Sequence, residues 1–146
     1  MTGPRLNGKV LAAGADFQLI LGGGTQAHLD ARYVIELDDG THVRVVAGVT
    51  HGVTGAVTRP TTEPLVLDIV LPAGATFDVP LPAGHNAFAY VYGGAAAQVG
   101  GATVASEHMA ILTNDAAADG VRFTAAAGER AAQILLVAGA PLREPI

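Results

Sequence analysis

Six ionisable side chains share one parity in the stretch AHLDARYVIELDDGTHVRVV, residues 27–46: His28, Asp30, Arg32, Glu36, His42 and Arg44. Gathered in a cavity, imidazoles, carboxylates and guanidiniums could bind a polar ligand or serve acid–base chemistry. A three-residue loop Asp38-Asp39-Gly40, with Gly40 in the left-handed conformation, would pair Leu37 with Thr41, Glu36 with His42 and Val34 with Arg44. That register puts the charged groups on one face and Leu29, Ala31, Tyr33, Ile35, Val43 and Val45 on the other. A two-residue loop would set His42 beside Leu37 and mix the faces. Glu36 would sit opposite His42 and diagonal to Arg44, opposite charges contributing about 0.2–1 kcal/mol per pair. Two readings stay open. The charged face is solvated above an apolar core, or Asp30, Arg32, Glu36, His42 and Arg44 are binding residues at a barrel mouth; the alternation favours an inward apolar face.

Other chemistry is sparse. Ser106, Glu107 and His108 are neighbours, but adjacent strand residues point to opposite faces, so they do not make a nucleophile–base–orienter array. The glycine runs LGGGTQ and YGGAAAQVGG have no following helix to supply a dipole and read as hairpin turns, not phosphate loops. No cysteine is present, which removes disulfides, zinc–thiolate sites and a cysteine nucleophile.

Glycine and proline recur every eight to twelve residues or so between short runs rich in Val, Ile, Leu, Phe and Tyr, the pattern of an all-β domain. Strands are predicted at 5–11, 17–21, 28–37, 41–47, 64–71, 76–80, 86–92, 95–99, 107–113, 120–125 and 131–138. NDAAADG and TAAAGER are alanine-rich, yet each is short and glycine-ended, and both are predicted as loops. RPTTEP, residues 59–64, reads as a bend between two halves. At 146 residues, half of them hydrophobic, the chain can bury one sizeable core. Its net charge of −5 and eight scattered Lys and Arg leave no basic stripe for nucleic acid. No apolar run reaches the roughly 18 residues of a membrane helix, and the start lacks the pattern of a signal peptide. The expectation is a cytoplasmic protein without membrane or nucleic-acid partners.

Two resemblances follow. GPRLNGKVLAAGADFQLI and then LDARYVIELDDG, within residues 3 to about 48, resemble the start of a small-barrel family known as domain of unknown function 3237. That implies a β-barrel start with Asp16, Asp30 and Arg32 at motif positions and no assigned reaction. From about Arg44 to Ile146, GVTGAVTRPTTEPLVLDIVLPAGATFDVPLPAGHNAFAYVY, MAILTNDAAADGVRFTA and LLVAGAPLREPI resemble the C-terminal cupin half of a pirin. Pirins are two-domain cupins, known as iron-binding co-regulators or quercetin-cleaving oxygenases, with the metal in the N-terminal half. The chain therefore reads as a chimera, with the join between residues 41 and 52.

A cupin holds iron, manganese or nickel with two His and a Glu from one strand and a third His from a later one. Aligning AFAYVYGG with that strand puts the ligand positions at Leu81, Ala83, Ala87 and Ala110, none of which can bind a metal. Parity leaves one alternative, since His85 and His108 each lie two residues before Ala87 and Ala110 and would face the same interior. His85 belongs to the pirin motif and reads first as a structural histidine; ASEHMA departs from the pirin pattern at Glu107 and His108. Phe88, Tyr90 and Tyr92 share the outer face of their strand and predict a dimer interface.

The combined expectation is a single all-β, cupin-like jelly-roll barrel over residues 1–146, without cofactor, forming a homodimer. It would act as a small-molecule-binding or structural module without efficient catalysis. The alternatives are a metal-dependent oxygenase or isomerase using His85 and His108 with Glu36, His42 or Arg44, and a pirin-like protein-interaction module.

Overall fold

The computed structural model describes residues 33–144 and, before them, four strand segments as backbone; side chains are described from Val34 to Glu144. The described residues form strands and no helix. In chain order these are β1 (Thr2–Gly3), β2 (Leu6–Leu11), β3 (Phe17–Leu21), β4 (Gln26–Asp30), β5 (Tyr33–Leu37), β6 (His42–Ala47), β7 (Val49–Thr50) and β8 (Val53–Thr54). Then follow β9 (Leu65–Leu71), β10 (Thr76–Pro80), β11 (Asn86–Gly94), β12 (Ala97–Val99), β13 (Ala102–Val104), β14 (His108–Ile111), β15 (Gly120–Ala125) and β16 (Ala132–Gly139).

A large sheet runs β1-β2-β5-β6-β9-β16-β11-β14 and a smaller one β10-β15-β12-β13, every ladder antiparallel. β9 shows why the layers close on one another: Leu65, Leu67, Ile69 and Leu71 are buried while Val66, Asp68 and Val70 alternate with them on the outside. Ile35, Val43, Val45, Ile134 and Leu136 from the large sheet and Phe77, Val79 and Phe123 from the smaller one form a single apolar cluster. The architecture is all-β, two antiparallel sheets enclosing one apolar core.

The hairpin register matches the one read from the opening stretch. Glu36 pairs with His42 and Val34 with Arg44, the Leu37 amide donates to the Thr41 carbonyl at 2.9 Å, and Gly40 has φ +86°. Ile35, Leu37, Val43 and Val45 are buried, so the apolar half faces the core.

The predicted single strand over 28–37 needs correction. β4 pairs with β3 in a two-stranded sheet of its own, whereas β5 pairs with β2 and β6, so His28 and Asp30 do not belong to the sheet of Glu36. The positions of Asp16 and Arg32, and the side chains of His28 and Asp30, lie outside the described residues. Alternation cannot reveal such a change of sheet, because both segments keep period two. The strands of the β7–β8 hairpin and β13 are too short to carry a periodic signal. His51 and Gly52, at φ +49° and +75°, form the two-residue turn between β7 and β8, a role in which asparagine before glycine is the recognisable pattern.

Candidate functional site

The charged face forms a surface network. Arg44 Nη2 donates to Asp68 Oδ2 at 2.9 Å across the β6–β9 ladder, and the Tyr92 hydroxyl donates to Asp68 Oδ1 at 2.7 Å. His42 Nε2 stands 4.0 Å from Glu36 Oε1. Glu36, His42 and Arg44 are thus together, on the outer side of the large sheet rather than at a barrel mouth. Arg44 finds its carboxylate on β9, a partner that the isolated hairpin could not show. Partial exposure limits such pairs to about 0.2–1 kcal/mol each.

Burial, and then the hydrogen bond to Asp68, push the Tyr92 phenol up to about 12 from its ordinary 10.0. An acid whose folded pKa is raised contributes stability that is complete below the unfolded value and lost as pH rises through the folded one. Stability is therefore expected to fall between about pH 10 and about pH 12, and Tyr92→Phe to flatten that part of the curve. Urea unfolding at stepped alkaline pH checks this; identical curves for the two proteins would contradict it. In the β7–β8 turn His51 packs against Phe77 with ring centroids 5.1 Å apart and planes tilted by 35°, and burial holds its pKa below the usual imidazole range.

The second site is a cleft of about 380 Å³ at one end of the barrel. Leu81, Ala87, Val99, Ala110, Leu112 and Val121 supply the apolar part of its lining, beside the polar Thr113, Asn114 and Asp115. Two loops frame it. Leu81 N–H donates to Asp119 O at 3.0 Å, Leu112 N–H to Ala87 O at 2.9 Å, and Asn114 Nδ2 to both Gly84 O and Asn86 Oδ1. Asp115 Oδ1 accepts the Ala117 amide, a local turn that explains why the alanine-rich segment is a loop.

His85 lies in the cleft wall with its side chain only 7% exposed. Its Nε2 is 3.0 Å from Glu63 Oε2, and its Nδ1 is buried without a hydrogen-bond partner among the described residues. Glu63 sits at φ +41°, an uncommon backbone conformation for a residue other than glycine, with its amide donating to Arg59 O. RPTTEP reads as a bend from sequence, but nothing there points to Glu63, because its partner is 22 residues away and brought near only by folding.

His108 is placed elsewhere. It pairs with Val91 on β14, whereas continuing the β11–β14 register sets His85 opposite Asn114, so the two histidines stand about 20 Å apart at roughly 3.3 Å per residue. His108 is exposed on the edge strand and is not part of the cleft lining, so shared parity does not bring it into the interior with His85. The register thus does not bring the two histidines together. His108 Nδ1 donates to the Ser106 carbonyl at 2.9 Å, so this imidazole binds backbone and does not activate the Ser106 hydroxyl.

The pirin C-terminal cupin domain family matches residues 66–146, more than half of the chain. The chain belongs to that family. Residues 1–66 match a second family, the protein of unknown function family DUF3237, so the two resemblances occur in succession. The two matched ranges meet at residue 66, inside β9. β9 pairs with β6 on one side and β16 on the other, which makes it common to both segments.

Among solved structures, quercetin 2,3-dioxygenase from Acinetobacter baumannii is similar at TM-score 0.66 and 32% identity, over 83% of this chain and 41% of that one. A protein from Geobacillus kaustophilus gives TM-score 0.66 at 20% identity, over 83% and 48%, and supports the fold alone. This pirin-type cupin spans less than half the length of each of these structures. No curated protein matches it.

Leu81, Ala87 and Ala110 line the cleft and carry no donor atoms, and no group of three or more His, Asp or Glu among the described residues could hold an ion. The residues do not fit a cupin metal.

Proposed function

We propose that this chain is a cupin module that binds a small, largely apolar molecule in the cleft and does not carry out metal-dependent oxygenation by itself. The observation behind this reading is the hydrocarbon lining at Leu81, Ala87 and Ala110, where a metal-loaded cupin needs imidazole and carboxylate donors. An apolar concave site with a few polar groups at its wall is the ordinary form of a small-molecule site. The Acinetobacter baumannii relative bears the name of a dioxygenase, and a second reading follows from it: this chain would be the part of such an enzyme that supports a metal-bearing half.

Elemental analysis after chelation and dialysis, with oxygen uptake measured on quercetin, tests the proposal. We expect neither stoichiometric iron, nickel, manganese, copper or zinc nor oxygen uptake. Near one metal per chain together with turnover would overturn it.

Self-association through the outer face belongs to the same proposal. β14 is the edge of the large sheet, and Met109 and Ile111, exposed by 55% and 80%, continue the outer rows of Tyr90 and Phe88. The same edge of a second copy would pair its free backbone groups and cover these side chains. Ile111→Lys is expected to shift the protein from dimer to monomer in light scattering at micromolar concentration; a monomeric parent protein would rule the interface out.

A further inference from the structure

We infer that two copies of this chain join β14 to β14, antiparallel about Ala110, and that His108 of the partner subunit thereby completes the cleft wall beside Leu112. This pairing gives a register to the self-association through β14, and its bearing on a ligand rests on the cleft being a ligand site.

Among the described residues β14 pairs only with β11, and its other edge is unguarded. HMAIL, residues 108–112, holds no Lys, Arg, Asp, Glu or Pro, the residues that block exposed edges in natural sheets. Leu112 N–H donates to Ala87 O, so alternate backbone groups turn to β11 and those of Met109 and Ile111 turn outward. A two-fold axis through Ala110 sets Met109 opposite Ile111 of the partner subunit and uses all of these outward groups. The neighbouring registers are poorer. Centred on Met109, the ladder needs the Glu107 amide, which already donates to Val91 O; centred on Ile111, it needs the Thr113 carbonyl, which already accepts the Asp115 amide. About Ala110, Glu107 meets the partner's Thr113, so no charged side chain faces its own copy.

The same register acts on the inner face. Ala110 and Leu112 line the cleft, and so does the exposed Ile111, so the cleft reaches the open edge of the sheet with no strand beyond it among the described residues. Within one chain His108 stands about 13 Å from Leu112 along β14, at about 3.3 Å per residue. Antiparallel pairing reverses that order and sets the partner's His108 directly opposite Leu112, on the same face, with Cβ atoms about 4.5–5.5 Å apart. The Nδ1 of this imidazole is held by the Ser106 carbonyl, which leaves Nε2 as the nitrogen open to a ligand. The dimer thus adds an acceptor to the apolar part of the wall.

The chain has no cysteine, so single introduced cysteines report the register without background. In a glutathione redox buffer Ala110→Cys should form a disulfide-linked dimer about tenfold more readily than Met109→Cys or Ile111→Cys, because only residue 110 meets its own copy at a distance a disulfide spans. Mixed isotope-labelled and unlabelled parent chains should show magnetisation transfer between His108 ring protons of one chain and Leu112 methyls of the other, lost in Ile111→Lys. Preferential linkage through Met109→Cys or Ile111→Cys would overturn the register, and absence of both linkage and transfer would overturn the pairing. Cyclohexanol separates this from the ligand reading: it should shift Leu112 and His108 together in the parent protein and Leu112 alone in Ile111→Lys. A shift of Leu112 without His108 in the parent would overturn the completed wall. No shift at any cleft residue would overturn the ligand reading, with the pairing still decided by linkage and transfer.

Discussion

Replacing Phe123 by alanine is expected to lower the folding free energy by about 3–5 kcal/mol. The ring is fully buried in the middle of β15, facing Phe77 on β10 and Val99 on β12, so it joins the three strands of the smaller sheet to the core under the larger one. Removing it deletes a large apolar surface and leaves a cavity that neighbouring β-strands, tied by their ladders, cannot close. Against a typical domain stability of about 5–15 kcal/mol this is a large fraction. Urea denaturation with an unchanged slope provides the measurement; a loss below about 1 kcal/mol would mean that the core repacks around the gap.

The variant combining Leu81→His, Ala87→His and Ala110→His is expected to gain near-stoichiometric nickel or zinc. All three positions line one cleft, and Ala110 pairs with Ala89, which places it on the same inner face as Ala87 on the adjacent strand. Three imidazoles converging there would supply a donor set suited to first-row metals, with affinity rising from none detectable to micromolar or better. Titration calorimetry and elemental analysis would report the change, and circular dichroism would show that the strands persist. A folded variant that binds no metal would mean these positions do not converge as cupin ligands do, and the resemblance would then extend to the fold but not to its metal cavity.

Both expectations use residues whose burial can be read from alternation. Leu65, Leu67, Ile69 and Leu71 declare an inward face at every second position, and the glycine in Asp38-Asp39-Gly40 declares a turn whose length then fixes the Glu36–His42 register. The empty ligand positions came from the resemblance to a cupin strand, and alanine and leucine lack donors wherever the fold places them. Less could be read at the sites. His85 and His108 share a parity, yet parity says nothing about distance along a strand, and they lie six rows apart.

The sequence by itself determined an all-β chain, most of its strands, the inward apolar face and the succession of two barrel families, because these depend on local periodicity and short motifs. Only the tertiary structure decided that β4 and β5 serve different sheets, that Arg44 meets Asp68, and that Glu63 holds His85 beside an apolar cleft. Each of those facts is a pairing between segments, and the energy of such a contact depends on the closure of the intervening chain rather than on the residues within either segment.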